Sequence, residues 1–278
     1  MSVTVWVDGK VLPADQASVP VLDHGLTVGD GVFETCKVVD SRPFALGRHL
    51  ARLARSAAVL GLTTPGDDII REAVEATLAE ADLPLARLRI TITGGPGPLG
   101  SERGPAGPTL IVAAAPTAPW PDRIAVITVP WTRNERSGVA GAKTTSYAEN
   151  VVALRAARER GAQEALMANT RGELAEGTGS NVVVVLDGRL ITPPLGSGCL
   201  AGITRELLLE WAGADGLDVL EESVPMASLA RAEGLLLTSS TRDVQPVSEL
   251  DGRPLQDTST GRAAAELFAR RAAENPDP

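Results

Sequence analysis

Tight turns between short alternating stretches constrain the fold of this chain more than any other feature. The N-terminal region reads TVWV, then Asp8-Gly9, then VLP, and the pattern recurs around Asp40-Ser41 and Asp187-Gly188. Asp-Gly and related pairs readily adopt the left-handed backbone that two-residue hairpin turns require, and alternation of apolar residues indicates strands. We therefore predict three β-hairpins, which favour antiparallel or mixed sheets.

Amphipathic helices separate the predicted strands. Within GRHLARLARSAAVLGL, one helical face carries Leu50, Leu53, Ala57 and Leu60. Further helices are predicted over residues 66–83, over residues 147–160, in GITRELLLEWA and in GRAAAELFARRAAE. The stretch PTAPWPDR has the composition of a linker. The pattern predicts an α+β protein of two domains, residues 1–117 and 124–278, joined by residues 118–123.

Composition excludes several classes of protein. The 278 residues are 44% apolar, so a sizeable core can form, and the net charge is −9 without a basic stripe, which argues against nucleic-acid binding. Cys36 and Cys199 alone cannot build a disulfide framework. Neither a signal peptide nor an apolar run long enough to span a membrane is visible, so we expect a cytoplasmic protein without membrane attachment.

Several common site signatures are missing or out of context. His24 and His49 are the two histidines, so a three-histidine zinc site is impossible, and HExxH is absent, so no metal site is expected. Neither GxSxG nor a P-loop occurs. Gly95, Gly97 and Gly100 have GxGxxG spacing, but the following SERGPAGP cannot open the helix that dinucleotide binding requires.

Lysine is rare in this chain. Three of the 26 strongly basic residues are lysines, namely Lys10, Lys37 and Lys143, and Lys143 lies in GAKTTSYAEN. Only an amine with an accessible neutral form readily makes an imine, which arginine does not provide. Imine chemistry is one reason to retain Lys143, but it is not proof, because Lys10 and Lys37 are retained too and one of them lies in an obvious turn.

Three segments could bind an anion. The helix start in GCLAGITRELLLEW offers unpaired amides and the Thr204 hydroxyl, or is an ordinary helix start. The loop LTSSTRD offers Ser239, Ser240 and Thr241, or is a capped turn. Arg52 offers a fixed charge, or belongs to a solvated helix face. Sequence alone does not show whether the three converge.

A carboxylate precedes a run of small residues in GELAEGTGSN. Glu176 is followed by Gly177, Thr178, Gly179 and Ser180. Small residues let a flat ring approach the backbone closely, and a carboxylate there could accept a hydrogen bond from a protonated ring nitrogen. The alternative is a solvated glutamate in a turn.

Several ordered motifs resemble those of the class IV aminotransferases. They are GDGVFET, RHLARLARSA, KTTSYAENVVALRAARERGAQEAL, NTRGELAEGTGSNVVVV, TPPLGSGCLAGITR and LTSSTRDVQPV. That family contains pyridoxal-phosphate enzymes of fold type IV, with branched-chain and D-amino-acid aminotransferases and 4-amino-4-deoxychorismate lyases among them. The resemblance implies a small N-terminal domain, a larger domain with a mixed, barrel-like sheet, and a homodimer.

The resemblance also implies residue roles. Lys143 matches the Schiff-base lysine and Glu176 the residue that binds the pyridine nitrogen. The phosphate of pyridoxal phosphate would be held by Arg52, Ile203, Thr204, Ser239 and Ser240.

Substrate residues are less well specified by the resemblance. D-Amino-acid aminotransferases typically have a tyrosine where Phe33 stands and an Arg-x-His pair that this chain lacks. Lys37 or Arg103 could replace that pair, or be surface charges, and Thr241 could contact the substrate. We expect transamination between an amine or amino acid and a 2-oxo acid, with the lyase reaction to 4-aminobenzoate and pyruvate as the alternative.

Overall fold

The computed structural model describes residues 3–79 and 83–278, which form two compact units. Unit 1 comprises Met1–Pro119, Ala142–Ser146 and Pro276–Pro278, and unit 2 comprises Trp120–Gly141 and Tyr147–Asn275. The predicted domains were continuous segments, whereas unit 1 takes in two short later segments. The first does so because its backbone pairs with a strand of unit 1, between Val32 and Thr144.

Unit 1 contains one antiparallel sheet and three helices among the described residues. Its elements are β1 (Thr4–Val7), β2 (Lys10–Pro13), α1 (His24–Thr27), β3 (Gly31–Val39), β4 (Arg42–Pro43), α2 (Leu46–Leu60), α3 (Asp67–Ala79), β5 (Leu85–Thr93) and β6 (Thr109–Pro116). The strand order is β2-β1-β6-β5-β3-β4. The apolar faces of α2 and α3 bury Leu50, Leu53 and Val74 with β5 residues such as Leu88 and Ile90.

Unit 2 contains a mixed sheet. Its elements are β7 (Ile124–Arg133), α4 (Ala148–Glu159), β8 (Glu164–Asn169), β9 (Leu174–Gly177), β10 (Asn181–Leu186), β11 (Arg189–Thr192), a 3₁₀ turn (Leu195–Ser197), α5 (Ile203–Asp215), β12 (Val219–Glu221), a second 3₁₀ turn (Met226–Arg231), β13 (Gly234–Ser239), β14 (Asp243–Leu250), β15 (Arg253–Pro254) and α6 (Ser259–Glu274). The order is β12-β11-β10-β13-β14-β7-β8-β9, and β15 pairs with β14.

The connection from β9 to β10 forces this sheet to curl. Five strand spacings separate β10 from β9 along the sheet, which is about 24 Å in a flat sheet. The chain joins Gly177 to Asn181 directly, and four residues reach at most about 14 Å. The sheet therefore bends into an open half-barrel, as the α+β prediction with a barrel-like sheet requires.

The structure confirms the three predicted hairpins and corrects other details. Asp8 and Gly9, Asp40 and Ser41, and Asp187 and Gly188 have positive φ, and each pair joins two antiparallel strands. Strand β14, which lies centrally between β13 and β7, was not predicted from the sequence. The predicted helix over residues 66–83 is observed as α3, and its continuation over residues 80–82 lies outside the described residues.

Two expected exclusions concern helices. Residues 94–108 open no helix, so the GxGxxG glycines lie in a loop. Within the described ranges, no helix is both long and apolar enough to cross a membrane.

Candidate functional site

Hydrogen bonds within unit 1 fix the backbone of Lys143. The Phe33 amide donates to the Lys143 carbonyl at 2.9 Å, and the Thr145 amide donates to the Gly31 carbonyl at 2.8 Å. The Lys143 amide donates to Ser56 Oγ on α2 at 3.1 Å. A short segment from outside the N-terminal sequence thereby extends the sheet at the start of β3, so the position of this lysine is set by paired backbone rather than by a free loop.

The Lys143 amine lies against an aromatic ring. Its Nζ is 4.3 Å from the centroid of Phe33, and the Arg89 guanidinium carbon is 3.7 Å from that centroid. Phe33 is 4% exposed. Attraction between a cation and the ring face holds both groups on this side of the sheet.

That side of the sheet is basic. Side chains alternate along β3, so Phe33, Thr35 and Lys37 share a face. On β5, Arg89 lies opposite Thr35 and Arg87 lies opposite Lys37. Lys37 Nζ is 5.5 Å from the centroid of Phe44. Lys37 is a candidate from the sequence and Arg89 is not, because cross-strand register is not readable from one strand.

The other face of β3 buries an acidic group. The Arg52 Nε and NH2 groups each donate to a different oxygen of Glu34 at 2.7 Å, and His49 Nδ1 lies 2.6 Å from Glu34 Oε2. Burial alone raises the pKa of Glu34, but the charge and hydrogen bonds of Arg52 and His49 outweigh it and lower the pKa to about 2. Arg52 is 4% exposed, so it does not belong to a solvated helix face.

Burial lowers the pKa of His49 against the opposing effects of Glu34. A neutral His49 donates its Nδ1–H to the carboxylate. Arg52 donates two hydrogen bonds to Glu34 from one planar guanidinium, a geometry that arginine provides and lysine does not.

Arg103 is engaged elsewhere in unit 1. Its Nε and NH2 groups donate to the two Asp30 oxygens at 2.7 Å, and NH1 and NH2 donate to the carbonyls of Gly61 and Leu60 at 2.7 Å. The hydrogen bond with Asp30 raises the pKa of Arg103. These contacts attach the 94–108 loop to the end of α2, and they favour that role over substrate binding, which stays a prediction.

In unit 2, the Glu176 carboxylate is held at both oxygens. The Leu200 amide donates to Oε2 at 2.9 Å, and Arg133 Nε lies 3.0 Å from Oε1. The Glu176 side chain is 12% exposed. It is therefore an oriented carboxylate near the end of β9, not a solvated turn residue.

The segment after Glu176 is also fixed, through hydrogen bonds with a buried carboxylate. The Thr178 amide donates to buried Glu164 at 2.9 Å, and Ser180 Oγ donates to Glu164 at 3.2 Å. Arg242 forms an ion pair with Glu164 at 3.0 Å and lies 4.0 Å over the Trp120 ring. This network was not predicted from the sequence, although Glu164 and Arg242 lie within the motifs that carry the family resemblance.

Two predicted anion-binding segments converge at Asn181. The Asn181 side chain donates to the Leu200 carbonyl at 2.8 Å, three residues before α5 begins at Ile203. Asn181 also pairs with Thr238, the residue before Ser239. The helix start that carries Thr204 and the segment at Ser239 and Ser240, where β13 ends, therefore meet at the start of β10.

The backbone at this helix start is closely packed and has no side-chain cap. Gly202 is the N-cap residue and provides no capping side chain. A Cβ at Gly202 would lie 1.9 Å from Asn181 Oδ1. Glycine is required by this close approach, and the first amides of α5 keep the character of an anion site.

Acidification should remove the stabilisation that Glu34 provides. Because the folded pKa lies below the ordinary value of 4.5, this contribution is complete above pH 4.5 and is lost as the pH falls towards about 2. Glu34→Gln should lower the free energy of unfolding by about 3 kcal/mol at neutral pH, since it leaves Arg52 buried without its carboxylate. Urea unfolding at a series of pH values measures both effects.

The control is Glu159→Gln, which removes a carboxylate that is 66% exposed. It should leave the stability within about 0.5 kcal/mol of the parent protein. A Glu34→Gln variant with the same acid dependence as the parent would contradict the assignment.

Comparison with known proteins gives one consistent answer. The family Amino-transferase class IV matches residues 31–250. A bifunctional aminodeoxychorismate lyase / D-amino acid transaminase of Mycobacterium tuberculosis is 32% identical over 95% of this chain and 96% of its own length. A branched-chain-amino-acid aminotransferase of Pseudomonas aeruginosa is 30% identical over 90% of this chain and 86% of its own.

A solved structure is also similar throughout. The branched-chain aminotransferase of the archaeon Thermoproteus uzoniensis, with norvaline, superimposes with a TM-score of 0.90 at 30% identity, covering 97% of this chain and 94% of that one. The resemblance deduced from the motifs is confirmed. The chain belongs to the class IV aminotransferases and is a pyridoxal-phosphate-dependent transaminase that moves amino groups between amino acids and 2-oxo acids.

Proposed function

We propose that Lys143 is the residue that binds pyridoxal phosphate as a Schiff base and moves protons during transamination. The observation that carries this proposal is the fixed backbone of Lys143 with its amine 4.3 Å from the Phe33 ring centroid. Lys10 lies in an exposed position of β2 and Lys37 lies further along β3. Lys143 is thus the lysine whose position combines a paired backbone with the family motif.

Unit 2 carries the residues that we propose for the ring and the phosphate of the cofactor. We propose that Glu176 accepts a hydrogen bond from the protonated ring nitrogen, since its carboxylate is oriented by Leu200 and Arg133. The start of α5, at Ile203 and Thr204, offers amides and a hydroxyl to the phosphate. Ser239 and Ser240 add hydroxyls at the convergent loop. Arg52 of unit 1, which the resemblance assigns to the phosphate, donates to both oxygens of Glu34, and its contact with the phosphate stays a prediction.

Each residue then has one chemical task. When bound, the cofactor supplies the electron sink that makes the α-carbon of the substrate acidic. The Lys143 amine would accept the α-carbon proton of the substrate and deliver it to the aldehyde-derived carbon of the cofactor. Glu176 would keep the ring nitrogen of the bound cofactor protonated. One substrate leaves as a 2-oxo acid before the second arrives, which gives ping-pong kinetics.

The basic face of the unit 1 sheet suggests where the substrate carboxylate binds. Arg89 and Lys37 lie on the face that carries Phe33 and the Lys143 amine. Arg103 donates to Asp30 and to the end of α2. We therefore propose Arg89 with Lys37 for the carboxylate, Phe33 as an apolar contact and Thr241, after Ser240, as a further contact.

The lyase reaction is the second candidate function. It is favoured by the M. tuberculosis relative, which is named for both reactions. Both reactions use the same lysine and the same cofactor, so the residues proposed above do not separate them.

We propose a cytoplasmic homodimer. An exposed apolar segment of unit 1 supports the dimer, since Val21 is 75% exposed and Leu26 is 67% exposed, with Val19, Leu22 and Val28 also exposed. Contiguous apolar surface of this kind is typical of protein interfaces.

Lys143→Ala should abolish transamination, because no other residue replaces the amine that binds the cofactor and moves the proton. The visible absorbance of the lysine-bound cofactor should disappear as well. Lys10→Ala is the matched control and should retain both properties. Transamination by Lys143→Ala at the parental rate would exclude this lysine from the mechanism.

A substrate panel should separate the two candidate reactions. We expect amino transfer from D-amino acids, L-amino acids or (R)-amines to 2-oxoglutarate or pyruvate, measured as the 2-oxo acid formed. Aminodeoxychorismate should yield little 4-aminobenzoate. Efficient release of 4-aminobenzoate and pyruvate, with no amino transfer across the panel, would establish the lyase instead.

Light scattering coupled to size-exclusion chromatography should give the mass of a dimer. Replacing both Val21 and Leu26 by Asp should produce monomers, because the charges would have to be desolvated at the interface. Val59→Asp, on an exposed position of α2, should stay dimeric. A monomeric parent protein would contradict the proposal.

A further inference from the structure

Arg133, at the end of β7, contacts the proposed cofactor-binding carboxylate of Glu176, the side chain of Asn150 and, at 3.6 Å, the exposed carboxylate of Glu149. Its Nε lies 3.0 Å from Glu176 Oε1, and its NH2 donates to Asn150 Oδ1 at 3.1 Å. The Nε contact has the distance of an ion pair without the alignment of a hydrogen bond. The Arg133 side chain is 20% exposed. A mostly buried charge therefore faces Glu176 from unit 2 itself.

Asn150 extends this contact to the segment that follows Glu176. It is 7% exposed, and its side-chain amide donates to the Thr178 carbonyl. Arg133 thus touches the carboxylate directly and, through Asn150, the backbone two residues further on. Because the Leu200 amide holds the other oxygen of Glu176, rotation of the carboxylate would break contacts on both sides.

We infer that Arg133 is a positioning residue that orients Glu176 and keeps it ionised, so that the proton shared with the cofactor resides on the ring nitrogen. The inference rests on the proposed role of Glu176. A nearby positive charge favours the charged form of a carboxylate, and a carboxylate that stays ionised leaves the proton on its partner. A protonated ring nitrogen draws more negative charge from the substrate α-carbon.

The planar shape of arginine is part of this role. Nε and NH2 lie on one rigid guanidinium and reach two different partners, Glu176 and Asn150. A lysine ammonium carries charge on a single flexible nitrogen and does not reproduce that fork. Charge and orientation can therefore be separated by comparing Arg133→Lys with Arg133→Met.

The test measures two properties of the holoenzyme. Arg133→Met should lower kcat about tenfold, the scale typical of outer partners that orient a functional ligand, with a smaller change in KM. The ¹⁵N resonance of bound, ring-labelled pyridoxal phosphate should move towards that of the unprotonated ring. Arg133→Lys should keep more of the protonated signal while losing part of the rate.

Arg155→Met is the matched control, since Arg155 pairs with Glu159 on the surface of α4 and is 71% exposed. It should leave kcat and the ¹⁵N resonance unchanged. Thermal unfolding establishes that each variant is folded, and Arg133→Lys decides the question if Arg133→Met does not fold.

Glu176→Gln distinguishes failure of this inference from failure of the proposed function. If Glu176→Gln changes neither kcat nor the ¹⁵N resonance, the role of Glu176 is wrong and the inference falls with it. If Glu176→Gln changes both while Arg133→Met leaves both at parental values, only the inference is overturned. In the double variant, adding Arg133→Met should cost little further rate, because both changes act through one carboxylate; independent, multiplying losses would contradict the inference.

Discussion

Strand β3 is the constraint on which the proposed chemistry of unit 1 depends. Its alternation places Glu34 on the buried face, where Arg52 and His49 bind it, and Phe33 on the opposite face, where Lys143 and Arg89 lie. A shift of one residue in the pairing with β5 would exchange the two faces. The same backbone also accepts the pairing that fixes Lys143. The register of β3 thus determines the positions of the Lys143 amine and of the buried Arg52.

In unit 2, a short segment of small residues that follows Glu176 is held in place by its neighbours. Glycines and hydroxyl residues after Glu176 provide little packing of their own, so buried side chains fix the segment from beneath. Glu164 accepts from the Thr178 amide and from Ser180, and Arg242 balances its charge. Buried polar groups of this kind are costly unless their partners are present. The network therefore favours one arrangement of the segment over many.

Much of the fold could be predicted because its signals are local. The Asp-Gly pairs specify their own backbone, and the apolar faces of α2 and α5 repeat within a few residues. Strand β14 was missed because Pro246 and polar residues interrupt its pattern, while its partners β13 and β7 stabilise it from elsewhere in the chain. Tertiary pairing there outweighs the local signal.

The residues of the candidate site also differ in whether a local sequence pattern marks them. Lys143 and Glu176 could be named as candidates because each lies in a specific motif, and Lys143 is also one of three lysines. Arg133 could not be distinguished, since arginines are abundant and its partners, Glu176 and Asn150, are distant in sequence. Arg103 stays a predicted substrate residue from its loop, and its hydrogen bonds with Asp30 and with the end of α2 are long-range contacts that no local pattern encodes.

Unit 1 is assembled from three separate stretches of the chain, and the last of them ends at Pro278. There the Ala45 amide donates to the Pro276 carbonyl, and the Gly47 amide donates to Asp277. A ribosome releases the chain from its N-terminus onwards, so most of this sheet emerges long before Lys143 and the final residues. Unit 1 is therefore begun first but completed only when residues 276–278 have been synthesised. The Lys143 amine can reach its place beside β3 only after that strand has left the ribosome.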